Sequence, residues 1–222
     1  MEKQLISQIE KSLLTPRGTK VAFKLNLTVD EAYRLLLAAY TGQVLERQQQ
    51  YRTKTDTLTA LSCIAGALVN PEGRFGIVLA GTVGNGKTTA LRAIQRVISR
   101  LNIPDRSNPN RIGWLSMPVY KASAIVQMWE DNPTQFRELC GSPLLGIDEL
   151  GEENVDVRRY GNISSPICEL IYLRYDRRLF TVLTTNLTPK EIRERYGDRI
   201  ADRLNEMAVK IVFRSPSFRG QH

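Results

Sequence analysis

Apolar positions along this chain follow two rhythms, one of helical spacing and one of short unbroken runs, and the two alternate. Ala32, Leu35, Leu36, Ala39 and Tyr40 recur at helical spacing behind Thr28-Val29-Asp30-Glu31, which reads as a capping box. They predict one buried helix face; periodicity does not choose between the chain's own core and another protein as its cover. Gln4–Leu14 also reads as helical, TPRGTK as a turn, and Leu58–Leu68 as a further helix running into an NPEG turn. Five short apolar runs then predict strands, beginning at Phe75 and spanning Ile112–Tyr120, Pro143–Asp148, Phe180–Thr185 and Ala208–Phe213. Between them lie helical stretches: TTALRAIQRVISR, Ala122–Trp129, Ser164–Arg178, a segment capped by Thr188 and running to Tyr196, and Asp198–Asn205. Asn102–Asn110, with two prolines, reads as a loop. This alternation predicts an α/β fold with a parallel sheet covered on both faces. A polar run near residues 51–56 divides a small helical region, 1–55, from an α/β domain, 56–222.

The first strand breaks into GTVGNGKTT, which fits G-x-x-x-x-G-K-[ST] with Gly81, Gly86, Lys87 and Thr88 on the fixed positions. Strand before and helix after make this the phosphate cradle of a P-loop NTPase rather than a chance glycine turn. Gly81, Thr82, Val83, Gly84, Asn85, Gly86, Lys87, Thr88 and Thr89 are the expected ATP contacts. Glycines let the backbone wrap closely with its N–H groups inward, at a helix N-terminus that favours anions. Lys87 is expected at the β/γ-phosphates, and Thr88 in the shell of a Mg2+ ion.

LLGIDEL places Asp148 and Glu149 at the carboxyl end of a buried strand, facing the same crevice as the P-loop in a parallel sheet. Asp148 there can hold magnesium, and Glu149 can polarise a water for attack on the γ-phosphate; the bland reading is an exposed acidic turn. TVLTTNL ends a third strand in Asn186, whose amide can reach the γ-phosphate or the attacking water, although asparagine is also a common turn residue. In YGDRIADRLNEM, Arg199 and Arg203 stand four apart on one helix face. They read either as a solvated face neutralised by Asp198 or Asp202, or as an arginine finger for a neighbouring subunit's site, which requires an oligomer.

Charge changes this picture. A net charge of +8, from 31 basic and 23 acidic residues, suits a polyanionic partner, nucleic acid first among them. Cys63, Cys140 and Cys168 form no metal motif and read as small core residues of a protein in a reducing compartment. The single histidine, His222, leaves little room for histidine chemistry. Without a signal-peptide core or a run of transmembrane length, the expectation is a soluble, cytoplasmic protein with no membrane role.

Taken in order and spacing, GTVGNGKTT, LLGIDELG, YLRYDRRLFTVLTTNL, YGDRIADRLNEM and the closing SFR resemble the DnaC/DnaI/IstB branch of AAA+ ATPases over roughly residues 56–219. The resemblance implies a five-stranded sheet in AAA+ order and Asn186 as sensor 1. It implies Arg203 as the finger acting in trans, with Arg199 as the fallback, and a terminal arginine at Arg219. About ten residues come after the last expected strand, too few for the α-helical lid of motor-type relatives, so the C-terminal lid is expected to be missing. No Cys/His set marks a zinc module in the first fifty residues.

The implied activity is ATP hydrolysis, slow and stimulated by DNA or a partner. It would serve a homo-oligomer that loads a replicative helicase onto single-stranded DNA in DNA replication. The alternative is a transposase helper on duplex DNA. A P-loop small-molecule kinase fits less well, because Asn186 and Arg203 have no place in it, and Glu149 argues against a purely nucleotide-gated adaptor. Trp114, Trp129 and Tyr120 lie near the second strand as candidate base-stacking residues, with core packing the expected role of Trp114.

Overall fold

The computed structural model describes residues 23–48, 54–105, 113–159 and 162–214. The expectations for Gln4–Leu14, for Arg219 and for the chain beyond the last strand concern residues outside this set.

Two helices open the described chain, α1 (Val29–Glu46) and α2 (Thr55–Val69). The capping box is present at α1: Thr28 accepts from the Glu31 backbone, and the Glu31 carboxylate accepts from Thr28. Strand β1 (Gly76–Gly81) leads through the glycine loop into α3 (Lys87–Arg100), followed by β2 (Val119–Lys121), α4 (Ala122–Asp131) and α5 (Pro133–Gly141). Next come β3 (Leu144–Leu150), a hairpin of β4 (Val157–Arg159) and β5 (Asn162–Ser164), and α6 (Pro166–Asp176). The chain continues through β6 (Phe180–Thr185), α7 (Pro189–Tyr196), α8 (Asp198–Met207) and β7 (Ala208–Phe213).

The main sheet has the order β2-β3-β6-β1-β7, and every pairing in it is parallel. Alternate strand residues feed two cores, as a pleated, doubly covered sheet requires. Ile77, Leu79, Val182 and Ile211 join α1, α2 and α3 on one face. Val78, Leu145, Ile147 and Leu183 join α4 to α8 on the other.

The apolar face of α1 is therefore covered by the chain itself, through Ala32, Leu36 and Tyr40 against α2 and α3. Leu35 departs from the expectation: it is 40% exposed, because the buried stripe passes to one side of it. The second strand is much shorter than Ile112–Tyr120. Residues 113–118 carry an isolated bridge, Pro104 with Trp114, and one hydrogen bond from Gly146 N–H to the Pro118 carbonyl, before regular pairing with β3 begins at Val119. Among the described residues no helix is long and apolar enough to cross a membrane.

Candidate nucleotide site

The glycine loop is shaped by its backbone. Gly81, Gly84 and Gly86 have φ of +144°, +79° and +97°, conformations that side-chain-bearing residues rarely adopt. A Cβ on Gly81 would lie 2.4 Å from the Phe213 carbonyl oxygen, so the loop can leave β1 beside the end of β7 only as glycine. Fully buried Asn85 braces the turn, its amide donating to Phe213 O at 2.8 Å while its Oδ1 accepts from Lys87 Nζ at 3.0 Å. Lys87 also donates to the carbonyls of Gly81 and Thr82, both at 2.7 Å. Burial brings its pKa down to about 8, against the opposing pull of Asp148.

Asp148 is 3% exposed at the carboxyl end of β3, between two hydroxyls. Thr88 Oγ1 donates to its Oδ1 at 2.9 Å, and Thr184 Oγ1 donates to the same oxygen at 2.7 Å. The β3–β6 register slips here: Ile147 faces Leu183, but Leu150 faces Thr185, so β3 carries one extra residue. Such a bulge re-aims the side chains at the end of the strand. Glu149 sits in it with φ +59°, its N–H donating to Thr184 Oγ1 at 2.9 Å. One threonine hydroxyl therefore sets both acids. The Glu149 carboxylate pairs with Lys121 at the end of β2, 2.8 Å away, and that contact raises the lysine's pKa.

Asn186 follows β6 immediately, and its amide donates to Glu152 Oε1 at 3.4 Å. The two arginines stand apart from this cluster. The Arg203 guanidinium lies over Tyr172 and Tyr175 of α6, 4.4 and 5.1 Å from the ring centroids. Arg199 is exposed. Asp198 and Asp202 neutralise neither; both pair with Arg193 of α7.

A hydroxyl and a carboxylate, both hard oxygen donors, meet beside a lysine and a glycine cradle at a helix N-terminus. This set fits a triphosphate with magnesium, Thr88 and Asp148 being the residues that would hold the ion. The comparisons agree with that architecture. No protein-family model matches the chain, and no curated protein does. Among solved structures the DnaC helicase loader is 19% identical, with 81% of this chain and 98% of that one covered and a TM-score of 0.57. DnaI is 16% identical over 88% of this chain and 99% of its own, also at 0.57. The chain shares its fold with these two proteins. The replication initiator DnaA bound to AMPPCP and single-stranded DNA shares it at 18% identity and a TM-score of 0.50, across 72% of this chain and 48% of that chain.

Within this fold the structure joins Lys87, Thr88, Asp148 and Glu149 in one cluster, with Asn186 at the adjoining strand end. Thr184 and Lys121 belong to that cluster and escaped the sequence reading. Two adjacent threonines in a buried strand were the available signal, since buried hydroxyls need partners. Trp114 is 62% exposed and does not pack in the core: it sits in the segment before β2, outside the sheet. Cys63 is likewise exposed on α2, Cys140 alone of the three cysteines being buried.

Proposed function

We propose that the chain binds and hydrolyses ATP with Mg2+ in DNA replication, as a homo-oligomer that places a replicative helicase on single-stranded DNA. The observation that carries the ATPase reading is the Thr88–Asp148–Thr184 hydrogen-bond chain, which joins the P-loop helix to two strand ends. Likeness in fold to the DnaC helicase loader and DnaI supports the client. The DnaA structure with single-stranded DNA, together with the +8 charge, supports the nucleic acid.

In this reading the backbone of Gly81–Thr89 wraps the phosphates, and Lys87 exchanges its loop carbonyls for the β/γ-oxygens. Thr88 and Asp148 would hold magnesium, which when bound would supply positive charge against the charge shifting between the phosphates. Glu149, freed from Lys121, orients the attacking water and draws off its proton, while Asn186 donates its amide to the γ-phosphate or that water. Arg203 of one subunit completes the site of the next, Arg199 being the fallback. Turnover is slow until DNA or a partner stimulates it, residues 1–55 bind the partner, and the protein works in the cytoplasm.

The test is affinity capture from the native cell with ATP and a Glu149→Gln protein. That variant should keep nucleotide affinity and lose turnover by about a hundredfold or more. A replicative helicase is the expected client; a transposase in its place would overturn the loader reading, and normal turnover would remove Glu149 from its role.

A further inference from the structure

Apart from Asp148, the one buried carboxylate among the described residues is Glu153, 3% exposed and five positions further along. It forms no ion pair among those residues, and burying an acid without one is costly. Its two oxygens serve different elements. Oε2 accepts from Gly151 N–H at 2.9 Å, inside the turn that follows Glu149. Oε1 accepts the hydroxyl of Tyr196, the last residue of α7, and the Glu153 carbonyl accepts from Arg195.

That turn is fixed on its other side too. Thr185 Oγ1 donates to Leu150 O at 2.8 Å. Gly151, with φ +109°, has the Leu187 side chain 2.8 Å from where its Cβ would be. The turn is thus tied both to Glu149, two residues before Gly151, and to the strand end that carries Asn186. Beyond Tyr196 only Gly197, φ +83°, separates α7 from α8, the helix of Arg199 and Arg203, and Arg193 bridges the two through Asp198 and Asp202. Burial, reinforced by Glu153, holds the Tyr196 hydroxyl protonated far above the ordinary tyrosine range, so it remains a donor.

We propose that Glu153 is a positioning residue: through Tyr196 it locks the arginine helix to the turn behind the hydrolysis carboxylates, so that the state of a subunit's own site sets the arginine it offers its neighbour. The inference rests on the in-trans arginine of the proposed function.

Mixed assemblies test it. Sites of an Arg203→Ala protein are supplied with an arginine by a Glu149→Gln protein, which is expected to hold ATP in its own site without turning it over. This control mixture should restore turnover, and the same donor carrying Tyr196→Phe in addition should restore about tenfold less. In assemblies of Tyr196→Phe alone, kcat should fall by a similar factor while KM for ATP stays within about twofold. A general loss of fold would move both constants and lower the melting temperature, and Glu153→Gln, which keeps the shape of the side chain, repeats the test without removing the tyrosine. Equal rescue by the donor with and without Tyr196→Phe overturns the coupling. No rescue even by the control donor overturns the in-trans arginine, and the coupling with it.

Discussion

Lys87 carries the sharpest residue-scale consequence. Its ammonium has three oxygen acceptors, yet burial outweighs them and Asp148, and the pKa falls from 10.5 to about 8. Phosphate binding needs the charged form. ATP affinity should therefore be level below about pH 8 and fall above it, approaching tenfold per unit. Stability of the unliganded protein runs the opposite way. Between about 8 and 10.5 the unfolded chain holds more protons at this site, so stability rises with pH there. Nucleotide titrations and urea melts across pH 7–10 (a range of about three units) read both trends, and an affinity that does not change with pH would refute the first. The place of Lys87 is legible from its motif. Its bracing by Asn85 is not, because the brace depends on the Phe213 carbonyl, 128 residues further along the chain.

At the scale of elements, Arg174 of α6 is fully buried, and its guanidinium closes the end of another helix. It donates to Ser142 O at 2.8 Å, to Phe180 O at 2.6 Å and to Thr181 Oγ1 at 2.8 Å, with longer contacts to Leu139 O and Cys140 O. The last carbonyls of α5 have no partners within their own helix; Leu139 O accepts from Ser142 N–H just beyond it, and the arginine adds its donors there while tying α5 and α6 to β6. Arg174→Met keeps much of the volume and strips those donors. It should cost about 3 kcal/mol in urea unfolding, and a loss below about 1 kcal/mol would mean that water replaces them. The helix Ser164–Arg178 was legible from its amphipathic pattern, but an arginine in its buried face was not. Helix α5 escaped notice because it is short, although Asn132 capping Gln135 and Pro133 in the first turn are start signals. The stretch before β2 matches a strand in composition. Only the absence of a continuous pairing partner, a tertiary matter, keeps it outside the sheet.

For the whole molecule, the +8 charge makes a quantitative claim about nucleic acid. Binding to single-stranded DNA, followed by anisotropy, should weaken with added salt, with a log–log slope of about −0.7 for each phosphate contacted. Affinity that ignores salt would remove phosphate tracking from the function. Topology belongs to this scale as well. Alternating strand and helix patterns imply a parallel sheet, and right-handed crossovers narrow its possible arrangements, but neither sets the order β2-β3-β6-β1-β7. The five-stranded order anticipated from the family resemblance is the one observed.

By itself the sequence determined what local chemistry and short periods encode: the phosphate loop, the acids ending a buried strand, the caps at Thr28 and Thr188, and five strand segments alternating with helices. These follow from conformational preference and burial of residues near one another in the chain. Tertiary structure alone decided that Thr184 serves two acids, that Lys121 holds Glu149, that α1 is covered by its own core, and that Glu153 reaches Tyr196. The polar contacts among these join residues at least 28 positions apart, and they become specific only when the packed sheet brings its strand ends together.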